Sequence, residues 1–307
     1  MSKHIKIGTR ASKLALWQAY HIQDLLERKG LTTEIVKIET KGDKILDRAL
    51  SKIGGKGVFT EELEEALYNG TIDIAVHSAK DLPSTMDDRL SIIAFTEREK
   101  ANDVLVSDKA IDINEKLVIG TSSTRRVALL KHYYPQHDIV DMRGNLQTRF
   151  AKMRDGACDA MLLAFAGVHR MEMDESIKHL FDLGEFTPPV GQGTVAIQIA
   201  KDNSSDDKKE IIKSACNDED TEKAILAERS FLRKLEGGCS IPVFGHAKYS
   251  KGTISMEAGI ISLDGEALIE VDGVCEAEDA EKLGTALAEE LLEKGGDKIL
   301  KEIKANL

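Results

Sequence analysis

Through its first two-thirds the chain alternates short apolar runs with longer stretches of helical periodicity, and few folds accommodate that pattern. Strand candidates fall at residues 4–8, 33–38, 73–77, 90–94, 103–106, 117–120, 138–142 and 159–163. Between them, residues 12–29 carry an apolar face through Leu16, Ala19, Tyr20, Ile22 and Leu26, with Gly30 where a C-terminal cap belongs. Residues 60–68 form a second helix, closed by Asn69-Gly70. Such a chain is expected to build open, largely parallel sheets flanked by helices.

A weak internal repeat points to two such units. Ile7-Gly8-Thr9 recurs as Ile119-Gly120-Thr121, each followed by serine, arginine and a helix. Gly70-Thr71-Ile72-Asp73 is echoed by Gly156-Ala157-Cys158-Asp159, each opening a strand. Beyond Pro188-Pro189-Val190-Gly191-Gln192-Gly193 the texture changes. Residues 201–209 read as a surface loop entering a helix, and residues 221–235 as a helix ending in Gly237-Gly238. Residues 253–261 and 267–271 alternate like antiparallel strands around Asp264-Gly265, a hairpin signal, before a helix through 280–293. The expected fold class is α/β: two related open-sheet domains around a cleft, plus a smaller α+β C-terminal domain. The boundaries expected are 1–97 with 194–214, then 98–193, then 215–307.

Composition narrows the function classes. With 307 residues the chain is long enough for several cores, and its net charge of −11 argues against a nucleic-acid partner. An anionic small molecule is still allowed, because a cleft can be basic inside an acidic protein. No run approaches the ~20 apolar residues of a membrane span, and the N-terminus enters a strand without a signal-peptide apolar region. Cys158, Cys216, Cys239 and Cys275 form no Cys-x-x-Cys pair, which disfavours a disulfide framework or a structural zinc site and suggests a reducing cytoplasm.

Two strand-to-helix junctions are candidate anion sites, because helix-start N–H groups and the helix dipole favour negative charge. Arg10 and Ser12 belong to one; Ser122, Ser123, Arg125 and Arg126 belong to the other. Serine also caps helices with no ligand at all. Arg143, Arg149 and Arg170 offer further planar forks for carboxylates, or are solvated surface charges. The run Asp73 to Asp81 ends a buried strand with His77, Ser78, Lys80 and Asp81 at the sheet edge where ligands of open α/β sheets bind. An aspartate before Leu82-Pro83 can equally begin a turn.

Gly237-Gly238-Cys239 brings a cysteine into a tight turn between domains; most free cysteines are simply small buried hydrophobes. Two other motifs fail on context. Gly191-Gln192-Gly193-Thr194-Val195-Ala196 matches a dinucleotide fingerprint but precedes a strand rather than following one, and Gly54-Gly55-Lys56-Gly57 lacks the strand and the Lys-Ser/Thr ending of a phosphate loop.

Taken in order, Gly8 to Ala19, Gly54 to Gly57, Asp73 to Asp81, Gly120 to Arg126, Arg143-Gly144-Asn145, Val190 to Gly193 and Glu236 to Cys239 resemble the porphobilinogen deaminase (hydroxymethylbilane synthase) family. The resemblance implies domains like those of periplasmic binding proteins. It also implies a transferase that joins four porphobilinogen molecules head to tail with loss of ammonia, yielding the linear tetrapyrrole hydroxymethylbilane. By the same resemblance, Cys239 carries a thioether-linked dipyrromethane cofactor, and Asp81 is the catalytic carboxylate that stabilises an azafulvenium cation. Arg10, Ser12, Lys80, Ser123, Arg125, Arg126, Arg143, Arg149, Arg170 and Gln192 match the cofactor- and substrate-binding set, and Lys56 matches a lid. No metal, nucleic acid or membrane is implied, and a cytoplasmic monomer is expected. Ala79, Thr124, Gln198 and Ser240 depart from the family's usual residues.

Three rivals fit parts of the pattern. A regulatory effector-binding domain is one, but the chain shows no separate helix-turn-helix module. A hinged carboxylate-binding protein would use the same two domains but has no need of Cys239. A different cysteine enzyme with His77 as a distant base leaves the arginines unexplained.

Overall fold

A computed structural model describes residues 4–44, 60–236 and 241–305. The strands are β1 (His4–Thr9), β2 (Thr32–Lys37), β3 (Ile74–Ser78), β4 (Leu90–Phe95), β5 (Asp103–Val106), β6 (Val118–Gly120), β7 (Asp138–Val140), β8 (Ala160–Ala164), β9 (Ile177–Leu180), β10 (Val195–Ala200), β11 (Val243–Ser250), β12 (Thr253–Ile261) and β13 (Leu268–Glu276). The helices used below are α1 (Lys13–Arg28), α2 (Glu61–Tyr68), α3 (Thr124–Tyr133), α4 (Leu146–Arg154), α5 (Phe165–His169), α6 (Asp206–Cys216), α7 (Glu219–Lys234), α8 (Ala280–Leu291) and α9 (Asp297–Ala305).

Two five-stranded sheets have orders β2-β1-β3-β10-β4 and β7-β6-β8-β5-β9. They are the same sheet built twice. In each, the second strand, β1 or β6, pairs in parallel with both neighbours, and the fourth, β10 or β5, runs antiparallel between the third and the last. The sheets are therefore mixed rather than largely parallel, because β10 and β5 each enter from the other domain and must run against the strands they join.

The repeat extends to atoms. A Cβ on Gly8 would collide with Ile72, and one on Gly120 would press on the Cys158 sulfur, so both glycines admit the segment that leads into the next strand. The Asp73 carboxylate accepts from the Lys6 N–H at 2.7 Å, and the Asp159 carboxylate from the Val118 N–H at 2.8 Å. Gly70 and Gly156, which precede these segments, both hold positive φ.

On α1 the buried stripe is Ala15, Ala19, Ile22 and Leu26, one residue offset from part of the expected face. Tyr20 is exposed because it lies about 100° around the helix from Ala19. The C-terminal sheet β11-β12-β13 is antiparallel, with the expected hairpin at Asp264-Gly265. β11 and α9 were not anticipated. Helices α7 and α8 cover this sheet, and Gly284 lets α8 approach the backbone of Ala227.

Two crossover segments join the α/β domains side by side: the Thr96 N–H donates to Val195 O at 3.0 Å, and the Glu99 N–H to Gly193 O at 3.2 Å.

Candidate functional site at the domain junction

β3 is buried along most of its length and ends at Ser78, where a tight 3-10 turn carries Ala79, Lys80 and Asp81 out of the sheet edge. The Ala79 N–H donates to Thr194 O at 2.9 Å, tying the turn to the second crossover. Gly191, at φ +79, packs so closely that a Cβ there would lie 2.9 Å from the Ala79 carbonyl carbon. The glycines of the apparent dinucleotide motif thus serve turns and close approach to a neighbouring backbone, not a phosphate.

Asp81 lines a pocket with Arg10, Ser12, Gln18, Thr60 and His77. Ser12 caps α1, accepting from the Ala15 N–H at 3.3 Å. His77 is buried and bonded through Nε2 to Gln198 Oε1 at 2.9 Å; burial pushes its pKa down to about 4. A neutral ring committed to Gln198 does not suit the distant-base role of the rival cysteine enzyme.

A second group lies across the junction. Asp103 opens β5 with no exposed surface, and its carboxylate takes Arg125 Nη2 at 2.5 Å and Arg126 Nη2 at 2.7 Å. Burial alone would raise its pKa, but the two guanidiniums hold it well below the usual carboxylate range. Two cations against one anion leave net positive charge buried here. Arg125 and Arg126 also donate to Thr187 O and Leu162 O, at 2.9 and 3.0 Å, yet both Nε–H groups lack a partner.

Gln192 bridges the two groups. Its Nε2 donates to Asp103 Oδ1 at 2.9 Å and to Ala101 O at 2.6 Å, while its Oε1 accepts from Lys80 Nζ at 3.1 Å. Burial, reinforced by repulsion from Arg126, pushes Lys80 down to about 8.

Ser123 caps α3, accepting from the Arg126 N–H at 3.5 Å. Arg149 donates to Gly144 O at 2.7 Å, and burial together with Arg126 and Arg143 pushes it down to about 10. Arg126, Arg143 and Arg149 thus share one electrostatic field. Arg170 is placed differently: it donates to Gly193 O at 2.7 Å and lies over the Trp17 ring, 5.2 Å from its centroid, on the α1 side of the junction. Lys56, Cys239 and Ser240 lie outside the described residues.

Two residues of this region escaped the sequence reading. Asp103 did carry a signal, since an acid heading an apolar strand requires a buried partner. Glu228, fully buried on α7, accepts from Arg98 Nη1 at 2.5 Å, the Gly191 N–H at 2.7 Å and the Ala247 N–H at 2.8 Å. It pins both crossovers to the C-terminal domain. Its clue was its place at helical spacing among Ala224, Ala227 and Phe231.

Paired open sheets joined by two crossovers, with Lys80 and Asp81 at one sheet edge and buried Arg125 and Arg126 at the other, define a two-lobed α/β protein. The chain belongs to the porphobilinogen deaminase family. The family's dipyromethane cofactor binding domain matches residues 5–208, and its C-terminal domain matches residues 222–293. The porphobilinogen deaminase of Cytophaga hutchinsonii is 56% identical, covering 100% of this chain and 99% of the relative. That of Desulfosudis oleivorans is 49% identical, covering 98% of each chain. Among solved structures, the methionine binding protein MetQ is 14% identical with a TM-score of 0.44, covering 70% of this chain and 90% of that one.

Proposed function

We propose that this chain, by family a transferase of tetrapyrrole biosynthesis that condenses porphobilinogen on a dipyrromethane cofactor, uses Asp81 as its catalytic carboxylate and Cys239 as its cofactor attachment point. The observation that carries this reading is the junction itself: Asp81 and Arg10 line one pocket, and Gln192 links the adjacent Lys80 to Asp103 with Arg125 and Arg126.

The cofactor carries acetate and propionate groups, and the donor set suits them. Buried, unpartnered Nε–H groups on Arg125 and Arg126 are donors awaiting acceptors, and Arg143 and Arg149 extend the positive field. When bound, the cofactor would supply the pyrrole end to which the first unit is joined and from which the chain grows. Asp81, at the sheet edge, stabilises positive charge developing on the incoming pyrrole as ammonia leaves, in a site where water is scarce. Lys80, Arg10, Ser12, Ser123 and Arg170 bind and orient carboxylates, and Gln192 fixes Lys80 relative to the arginine cluster. Lys56 belongs to a lid over the site.

The same reading places residues 1–97 with 194–214 in the first domain, 98–193 in the second and 215–307 in the third. It makes the protein a cytoplasmic monomer. No helix among the described residues is long and apolar enough to cross a membrane.

Intact mass spectrometry tests the attachment. The purified protein should carry the excess mass of a two-pyrrole adduct, and Cys239→Ser should not. An unmodified wild-type chain that also fails to gain the adduct on incubation with porphobilinogen would overturn the reading.

A further inference from the structure

Thr60 stands immediately before α2, at the position where a threonine hydroxyl ordinarily accepts a hydrogen bond from the first turn. It makes no such bond. Its backbone carbonyl enters the helix, accepting from the Glu64 N–H at 2.8 Å, while the side-chain oxygen has no hydrogen-bond partner. Only 1% of the residue is exposed, so the hydroxyl is almost wholly withdrawn from bulk solvent.

Burying a hydroxyl without a partner is costly, and such groups are rare in folded proteins. Thr60 is a lining residue of the pocket that holds Arg10, Ser12 and Asp81. The neighbouring polar groups are already engaged: Gln18 Nε2 donates to Ser78 Oγ at 2.8 Å, His77 is bonded to Gln198, and Ser12 caps α1. Thr60 is thus a spare donor facing a space that also presents a guanidinium. A hydroxyl beside a cation suits one acceptor above others, a carboxylate, whose oxygens accept from both at once.

We infer that Thr60 is a further substrate-binding residue, its hydroxyl donating to a carboxylate of the porphobilinogen unit held beside Asp81. The inference rests on the reading of this pocket as the substrate site. It gives the bound unit an anchor on α2, so the helix helps to orient the ring against Asp81.

Steady-state kinetics of the purified holoenzyme, with Thr60→Val and Thr60→Ser, test it. Thr60→Val should raise KM for porphobilinogen about 10-fold, as for one lost hydrogen bond to a charged group, with kcat within about twofold. Thr60→Ser, which keeps the hydroxyl, should restore KM. Because the hydroxyl is unpartnered in the free protein, Thr60→Val should not lower the melting temperature. An unchanged KM in Thr60→Val would overturn the inference, as would equal losses of kcat and melting temperature in both variants. Should Thr60→Val fail to fold, Thr60→Ala removes the hydroxyl without branching and must show the same rise in KM. A wild-type holoenzyme that does not turn over porphobilinogen would instead overturn the pocket assignment.

Discussion

The two α/β domains share a blueprint down to individual hydrogen bonds, yet they bring different side chains to the junction. In the first, β3 runs into a 3-10 turn that carries Lys80 and Asp81; in the second, β8 runs into α5, and Arg125 and Arg126, at the start of α3, are buried against Asp103. What is common to both is what a sheet of this order needs: a glycine near the end of the second strand, an aspartate that accepts from that strand's backbone, and an antiparallel strand donated by the other domain. What differs lies in the turns beyond the strands. The scaffold was built twice, and the roles proposed for Asp81 and for the arginines divide the chemistry between the copies, so that these side chains meet only when both domains are folded.

The strongest way to break this comparison is to remove the counter-charge on which only the second domain depends. Asp103→Asn should destabilise the protein by about 3 kcal/mol or more, since it leaves two buried guanidiniums facing each other without their anion. Urea unfolding measures this, and a loss below about 1 kcal/mol would mean that the arginines can leave the interior. Next in size, Asp81→Asn should fold normally but lose on the order of 10²-fold in kcat, as other preorganised charge stabilisers do. Near-normal turnover would remove the chemical asymmetry between the domains. Smallest, Asp73→Ala and Asp159→Ala should each cost about 1–2 kcal/mol, the value of a hydrogen bond to a charged acceptor, with KM unaffected. A cost at one position only would make the two aspartates coincidental rather than equivalent.

Much of this was written along the chain. Alternating apolar runs specified which residues become strands, the Ile-Gly-Thr and Gly-x-x-Asp echoes marked the duplication, and Asp264-Gly265 marked the hairpin. These features are local, set by side-chain periodicity and by backbone conformations that glycine reaches easily. The sequence also named Asp81, Lys80 and the arginines as candidates, because chemistry-bearing residues at strand ends stand out from core patterning.

Only the tertiary structure decided how those candidates relate. The antiparallel course of β5 and β10 arises because the chain crosses between domains twice, which no local period encodes. Asp103 as the shared anion of Arg125 and Arg126, Gln192 as the bridge to Lys80, and Glu228 as the brace on both crossovers join residues 22 to 130 positions apart. Thr60 likewise looks in sequence like an ordinary helix cap, and only the pocket reveals its unused hydroxyl. Sequence fixes residue type and local shape; which buried charge answers which depends on burial, and burial exists only once distant segments have packed together.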